Sequence, residues 1–333
     1  MAVEQKSYPP AEAQIQTFAE KEKSGVFLHP EAKKTIWAVG GGKGGTGKSF
    51  ISASLAIELA SQEGDVVAID ADLGGANLHT LLGVKEAALD LGDYVNNKAS
   101  QLKEIVLPTP FQGLRLIKGT ENFLFMANLN HYKKLKFIRQ IKTFDAKRII
   151  IDIGTGSYFN TIDFFVLSNP GILVVNPEPT SIENTYYFVK SCIYRILKLY
   201  MDYYKIEEFK KKLAEQVGNN SQSLYHFFNT LLSYNKSQAR LLYNALKIFK
   251  PCLILNKAAS EKDLVLGQSI AHVVKKYLLV DLNFLGIVPF DERVPQSIQN
   301  FTPLLTQYPD SPASQAIKSI ADKLVNNVNQ IPF

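Results

Sequence analysis

Cysteine is nearly absent. Cys192 and Cys252 are the two cysteines in 333 residues. They stand too far apart for a C-x-x-C pair or a disulfide framework, which excludes a paired-thiol metal cluster and fits a reducing cytoplasm. Long apolar runs are absent too. No stretch approaches the roughly 20 residues needed to cross a bilayer, and Met1–Pro10 is polar and proline-bearing, without the apolar core of a signal peptide. A strong excess of one charge is also missing. The 37 Lys and Arg against 31 Asp and Glu leave a net charge of +6, which permits nucleic acid or anionic lipid as a partner without requiring either. What the chain has is an ordinary globular composition, 46% hydrophobic and 20% charged. That suffices for one large α/β domain or two small ones with a substantial core.

The most informative stretch runs from Thr35 to Ser61. Thr35–Val39 is short, apolar and partly β-branched, as a buried strand is. A glycine-dense loop follows, and Phe50–Ala60 sets Ile51, Leu55, Ile57 and Leu59 among small residues, as a helix packed on a sheet does. Within the loop, Gly42 to Ser49 satisfies G-x-x-x-x-G-K-[ST], the phosphate-binding loop. Gly42, Gly44, Gly45, Thr46 and Gly47 supply backbone N–H groups that can turn together onto one oxyanion, and the helix adds the positive end of its dipole. Lys48 is placed to reach the β- and γ-phosphates of a nucleotide, and the Ser49 hydroxyl to ligate Mg2+. Lys43 is a second lysine in the loop.

Two further strand ends deliver carboxylates. Val66–Ile69 reads as a buried strand ending in Asp70-Ala71-Asp72, and Arg148–Ile153 as another that carries Asp152, with Gly154 and Gly156 behind it. Carboxylates at strand C-termini beside a phosphate loop lie where open α/β sheets bind ligands. There they can hold a metal-bound water or orient an attacking one, although an aspartate at such a junction can equally cap a helix. More strands are expected over 113–119, 170–176, 251–257 and 283–288, and helices over 11–23, 131–143 and 313–328. In the helix over 131–143, Leu135, Ile138 and Ile141 are expected inward, and Lys133, Lys134, Lys136, Arg139 and Lys142 outward. Strands alternating with helices predict a doubly wound, mostly parallel sheet flanked by helices. Residues 1–34 read as a polar arm, and 35–333 as one domain. The tyrosine- and lysine-rich stretch at about 195–250 reads as an insertion of two or three helices with a turn at Gly218-Asn219-Asn220.

The form KGGxGK[ST], Lys43–Ser49, resembles the deviant Walker A motif of the MinD/ParA/Mrp ATPases. Asp70–Gly83 (DADLGGANLHTLLG) resembles the first switch region of the flagellar-number regulators FlhG and FleN, and Pro177–Ser181 their PEPTS segment. The resemblance covers about 35–190 and 250–328. It implies a P-loop NTPase of the SIMIBI type that binds ATP and Mg2+, dimerises with ATP, and hydrolyses it slowly under a partner's stimulation. It implies that Lys43 reaches across the dimer to the partner's nucleotide, and that Asp72 positions the hydrolytic water. It places Asp70 close to the metal, which Ser49 and Asp152 hold. Asn256 would meet the adenine edge, and the backbone at Pro289 would line the base pocket. Thr155 stands where the family usually has alanine, and no basic amphipathic helix follows Val328, so direct membrane anchoring is not expected. The insertion is the expected site for a protein partner, which could in turn recruit the chain to a membrane or cell pole. Two alternatives stay open: a DNA-partitioning ATPase of the ParA kind, and an ATP-binding interaction protein without turnover. An amidating ligase is excluded for want of a glutaminase domain, and a cluster scaffold for want of a close cysteine pair.

Overall fold

A computed structural model describes residues 35–72, 75–84, 89–120, 131–156, 159–218 and 224–328. The helix expected over 11–23 lies outside these residues, as does the Asn219-Asn220 turn. Among the described residues eight strands make one sheet: β1 (Thr35–Gly40), β2 (Val66–Ala71), β3 (Val106–Pro108), β4 (Leu114–Ile117), β5 (Arg148–Ile153), β6 (Ile172–Val175), β7 (Cys252–Ala258) and β8 (Asn283–Pro289). Their order is β3-β4-β2-β5-β1-β6-β7-β8, and every neighbouring pair is parallel except β3 on β4 at the edge. The chain leaves β1, skips a place to β2, and later fills the gap with β5. The C-terminal ends of these three strands therefore lie side by side, with Asp152 opposite Val39 on one flank and Asp70 on the other.

The helices are α1 (Lys48–Glu63), α2 (Leu78–Leu81), α3 (Leu91–Val95), α4 (His131–Thr143), α5 (Phe159–Leu167), α6 (Pro179–Tyr203), α7 (Glu207–Gly218), α8 (Leu224–Tyr234), α9 (Lys236–Ile248), α10 (Lys262–Leu278), α11 (Arg293–Gln299), α12 (Leu304–Gln307) and α13 (Pro312–Val328). Alternation along the strands sorts them onto two faces. Trp37, Val39, Ile150, Val174 and Ile254 pack with Ile51, Leu55 and Leu59 of α1 and Ile317, Ile320 and Leu324 of α13. Ala38, Ile149, Ile151, Val175 and Leu255 face Ile138, Phe164, Phe165 and Phe188 on the other side. Both faces of β5 are covered, which is why Arg148–Ile153 reads as a nearly unbroken apolar run.

Position 195, where the insertion is expected to begin, lies inside α6, which runs unbroken to Tyr203. Helices α7, α8 and α9 then pack Phe209, Leu231, Leu242 and Leu246 into the same core as Leu197 and Met201 of α6. Lys134, expected on the wet face of α4, is buried. Its Nζ donates to Asp163 Oδ2 at 2.5 Å, and Arg195 Nε donates to Asp163 Oδ1 at 2.5 Å. Asp163 lies on α5, and helical periodicity within α4 alone gives no sign of a carboxylate on the element it packs against. Phe137 is buried in the inward stripe, while Leu135 is only half-buried.

This triad joins α4, α5 and α6. Asp163→Ala leaves two cations facing each other in the core and should cost about 3–5 kcal/mol in urea unfolding. Lys134→Met, which leaves Arg195 on the carboxylate, should cost clearly less. Equal losses would contradict the shared-anion arrangement.

Candidate functional site

Strand β1 ends at Gly40 and α1 starts at Lys48, so residues 41–47 form the phosphate loop. Gly47 is the N-cap residue at φ 91, with no side-chain cap and no acid in the first turn of the helix. The positive end of α1 is left for an anion. A Cβ on Gly47 would come within 2.3 Å of Asn256 Nδ2, and one on Gly42 within 2.1 Å of the Asn184 carbonyl oxygen, so neither place admits a side chain. The Thr46 hydroxyl is buried without a partner. Lys48 is 6% exposed and its Nζ donates across the loop to the Lys43 carbonyl at 3.3 Å. Burial pulls the Lys48 pKa below the ordinary lysine value, and the charges of Asp152 and Asp72 oppose the shift.

Asp152 sits beneath the first turn of α1. Ser52 Oγ donates to its Oδ1 at 2.9 Å, while Oδ2 is buried with no partner. Burial pushes the Asp152 pKa up to about 6 against the hydrogen bonds from Ser49 and Ser52. Asp70, in register beside it, is fully buried. Its pKa is pushed up to about 8, first by burial and then by the charge of Asp152. Both Asp70 oxygens are occupied: Oδ1 accepts the Asp72 N–H at 3.2 Å and Oδ2 the Leu78 N–H at 3.0 Å. Asp70 thus ties the turn that presents Asp72 to the first residue of α2, and the carboxylate oxygen left open is that of Asp152. Asp72 faces the chain behind β5, since a Cβ on Gly154 would lie 2.7 Å from its Oδ1. Thr155 in turn lies over Gly44, its Cγ2 3.8 Å from where a Cβ would be.

The open Asp152 oxygen and the Ser49 hydroxyl are hard oxygen donors of the kind Mg2+ prefers. No group of three or more His, Cys, Asp or Glu that could hold a metal occurs among the described residues. A cation here would complete its shell with water and phosphate oxygens, as Mg2+ characteristically does.

Lys43 does not lie along its own loop. Its Nζ donates to Glu178 Oε2 at 2.6 Å and to Thr180 Oγ1 at 2.8 Å, at the start of α6. A threonine or serine at this junction, here Thr180 or Ser181, reads as a helix cap. The capping position is Glu178, followed by Pro179, and Ser181 Oγ instead accepts the Asn176 N–H at 3.1 Å. Asn256 is buried, with one amide N–H donated to the Thr46 carbonyl at 2.8 Å, so part of its capacity goes to the loop and not to a base. Pro289 lies across the ladder from Ala258, next to Asn256. Ser52 and Lys257 escaped the sequence reading, and so did the bonds that Glu178 and Thr180 make to Lys43. Ser52 had a signal, since it follows Ser49 by three residues on the same helix face. The other three had none, because their partners lie more than a hundred residues away.

Asp70 and Asp152 hold protons to higher pH in the folded chain than the ordinary 3.9 or so of an exposed aspartate. The folded state binds the extra protons between about pH 4 and pH 8, so stability without nucleotide or metal should fall as pH rises through that window. Urea unfolding across the window measures the slope, and Asp152→Asn should flatten its lower half. A rising stability would contradict the assignment.

Residues 37–304 match the CobQ/CobB/MinD/ParA nucleotide binding domain family. The chain is 25% identical over 301 residues to the antiactivator FleN of Pseudomonas aeruginosa, covering 89% of this chain and 87% of that protein. It is 32% identical over 166 residues to the flagellum site-determining protein YlxH of Helicobacter pylori, covering 49% of this chain and 55% of that protein. In fold it resembles the septum site-determining protein MinD complexed with Mg-ADP from Pyrococcus horikoshii, with a TM-score of 0.60 at 21% identity over 90% of this chain and 98% of that one. The family match runs from within β1 to the start of α12 and takes in the loop, both strand-end acids and helices α7 to α9; the chain belongs to the CobQ/CobB/MinD/ParA nucleotide-binding domain family.

Proposed function

We propose that this chain is an ATP-dependent dimerising switch ATPase that positions or numbers flagella. The observation that carries the reading is the grouping of Lys48, Ser49, Asp72 and Asp152 at the phosphate loop, with Lys43 held by Glu178. The similarity to FleN over most of both chains supports the flagellar role. The loop amides and Lys48 hold the phosphates. Ser49 and Asp152 would hold Mg2+, and the ion would neutralise charge on the phosphate oxygens. Asp72 orients a water for in-line attack on the γ-phosphorus, and the bond to the β–γ bridging oxygen breaks to release ADP. Lys43 leaves Glu178 and Thr180 and enters the partner's site, where it meets the charge developing there. The γ-phosphate orders the segments behind Asp72 and Asp152, which couples the nucleotide to dimerisation.

The added helices are the proposed docking face for a protein partner. Residues 204–250 carry eight Lys and Arg against three Asp and Glu, and Tyr225, Leu232 and Tyr234 are exposed on α8. A partner with an acidic, partly apolar surface fits them. Among the described residues no helix is long and apolar enough to cross a membrane.

Light scattering with ATP and Mg2+ tests the switch. Wild type should form a dimer, Asp72→Ala should accumulate it by blocking turnover, and Lys43→Ala should stay monomeric. A monomer under every condition would remove the cross-subunit role of Lys43.

A further inference from the structure

Asn256 and Lys257, consecutive residues near the end of β7, both grip the phosphate loop from outside. Asn256 Nδ2 donates to the Thr46 carbonyl at 2.8 Å, and Lys257 Nζ donates to the Gly45 carbonyl at 3.0 Å. Neighbours on a regular strand point to opposite faces and could not do this together. Here the β7–β8 register shifts between Asn256 and Ala258, and Lys257 takes a left-handed backbone, φ 55. An irregularity of this kind re-aims a side chain. A lysine in a conformation that suits glycine far better is uncommon, and here its side chain is bonded to the loop.

The geometry of the peptide group says what the grip does. The Gly45 carbonyl and the Thr46 N–H belong to one rigid trans peptide and point in opposite directions, as do the Thr46 carbonyl and the Gly47 N–H. Drawing both carbonyls outward aims the Thr46 and Gly47 N–H groups inward, where a phosphate binds. The two peptides lie between Gly45 at φ 73 and Gly47 at φ 91, so the backbone's own preferences hold them only weakly. An ammonium on the Gly45 carbonyl also polarises that peptide and strengthens its N–H as a donor.

We propose that Lys257 is a nucleotide-positioning residue, which locks the Gly45–Thr46 peptide with its N–H inward before the phosphate arrives. This rests on the reading of the loop as a nucleoside-triphosphate site and adds a residue to it. The nucleotide therefore meets a preformed nest and loses less affinity to ordering the loop. Because the brace acts on the loop in every nucleotide state, it contributes uniform binding and leaves the chemical step alone.

Calorimetry with ADP and Mg2+, hydrogen exchange of the loop without nucleotide, and steady-state kinetics with ATP test this on wild type, Lys257→Met and Lys257→Arg. Lys257→Met keeps the stem and loses the donor. It should weaken ADP and raise KM for ATP about tenfold, with kcat within about twofold of wild type, and its loop amides should exchange faster. Lys257→Arg should recover most of the affinity, since a guanidinium supplies the same charge and an N–H. Wild-type ADP affinity in Lys257→Met overturns the proposal, as does a Lys257→Arg as weak as Lys257→Met. Failure of wild type itself to bind ADP or ATP overturns the nucleotide reading underneath, and the proposal with it.

Discussion

Asp70 and Asp152 face each other across neighbouring parallel strands, both out of water. Two such carboxylates cannot both ionise cheaply, and burial raises both pKa values. Much of the site answers this constraint. Asp70 is held by the amides of Asp72 and Leu78, which fixes the chain behind β2. Asp152 takes hydroxyls from α1 and keeps one oxygen open. Lys48 is drawn into the interior, where it would otherwise be costly, because the charges of Asp152 and Asp72 offset part of its desolvation.

The parts of the fold that depend on local pattern were legible in the sequence. The apolar run of β5, the strand–loop–helix around Gly42–Ser49 and the aspartates at strand ends all depend on residues adjacent in sequence, and each lies where it was placed. What escaped were side chains whose meaning depends on a partner from another element. Lys134 looks like any lysine on the polar face of a helix, and becomes a core residue only because α5 brings Asp163. Thr180 looks like a cap, and serves Lys43. Lys257 defies the alternation rule itself, since a register shift turns it to the side its neighbour already uses. The register shift left no mark in the spelling of Asn256–Ala259.

Helix α6 ties two of these surprises together. Its first turn carries Thr180, beside the Glu178 that holds Lys43, its middle carries Arg195 on Asp163, and its far end passes into the added helices. At 1.5 Å per residue, 25 residues make a rod about 37 Å long. Asp163 belongs to α5, the element that follows Gly154–Gly156. One helix therefore touches the loop lysine, the helix that follows the Asp152 strand and the proposed docking face.

The strand order also has a consequence for synthesis. β1 and β2 come first from the ribosome but share no ladder, since β5 lies between them and β6 on the other side of β1. A nascent chain that has emerged only as far as α4 holds the phosphate loop on a strand with neither neighbour. The loop then has no Asp152 beneath it, no α6 against Gly42 and no Asn256 under Gly47. Ligand affinity in this molecule is assembled late, from contacts of high sequence separation. A chain that stops at α4 carries the phosphate-binding motif but lacks the contacts from β5, α6 and β7 that shape the loop in the folded molecule.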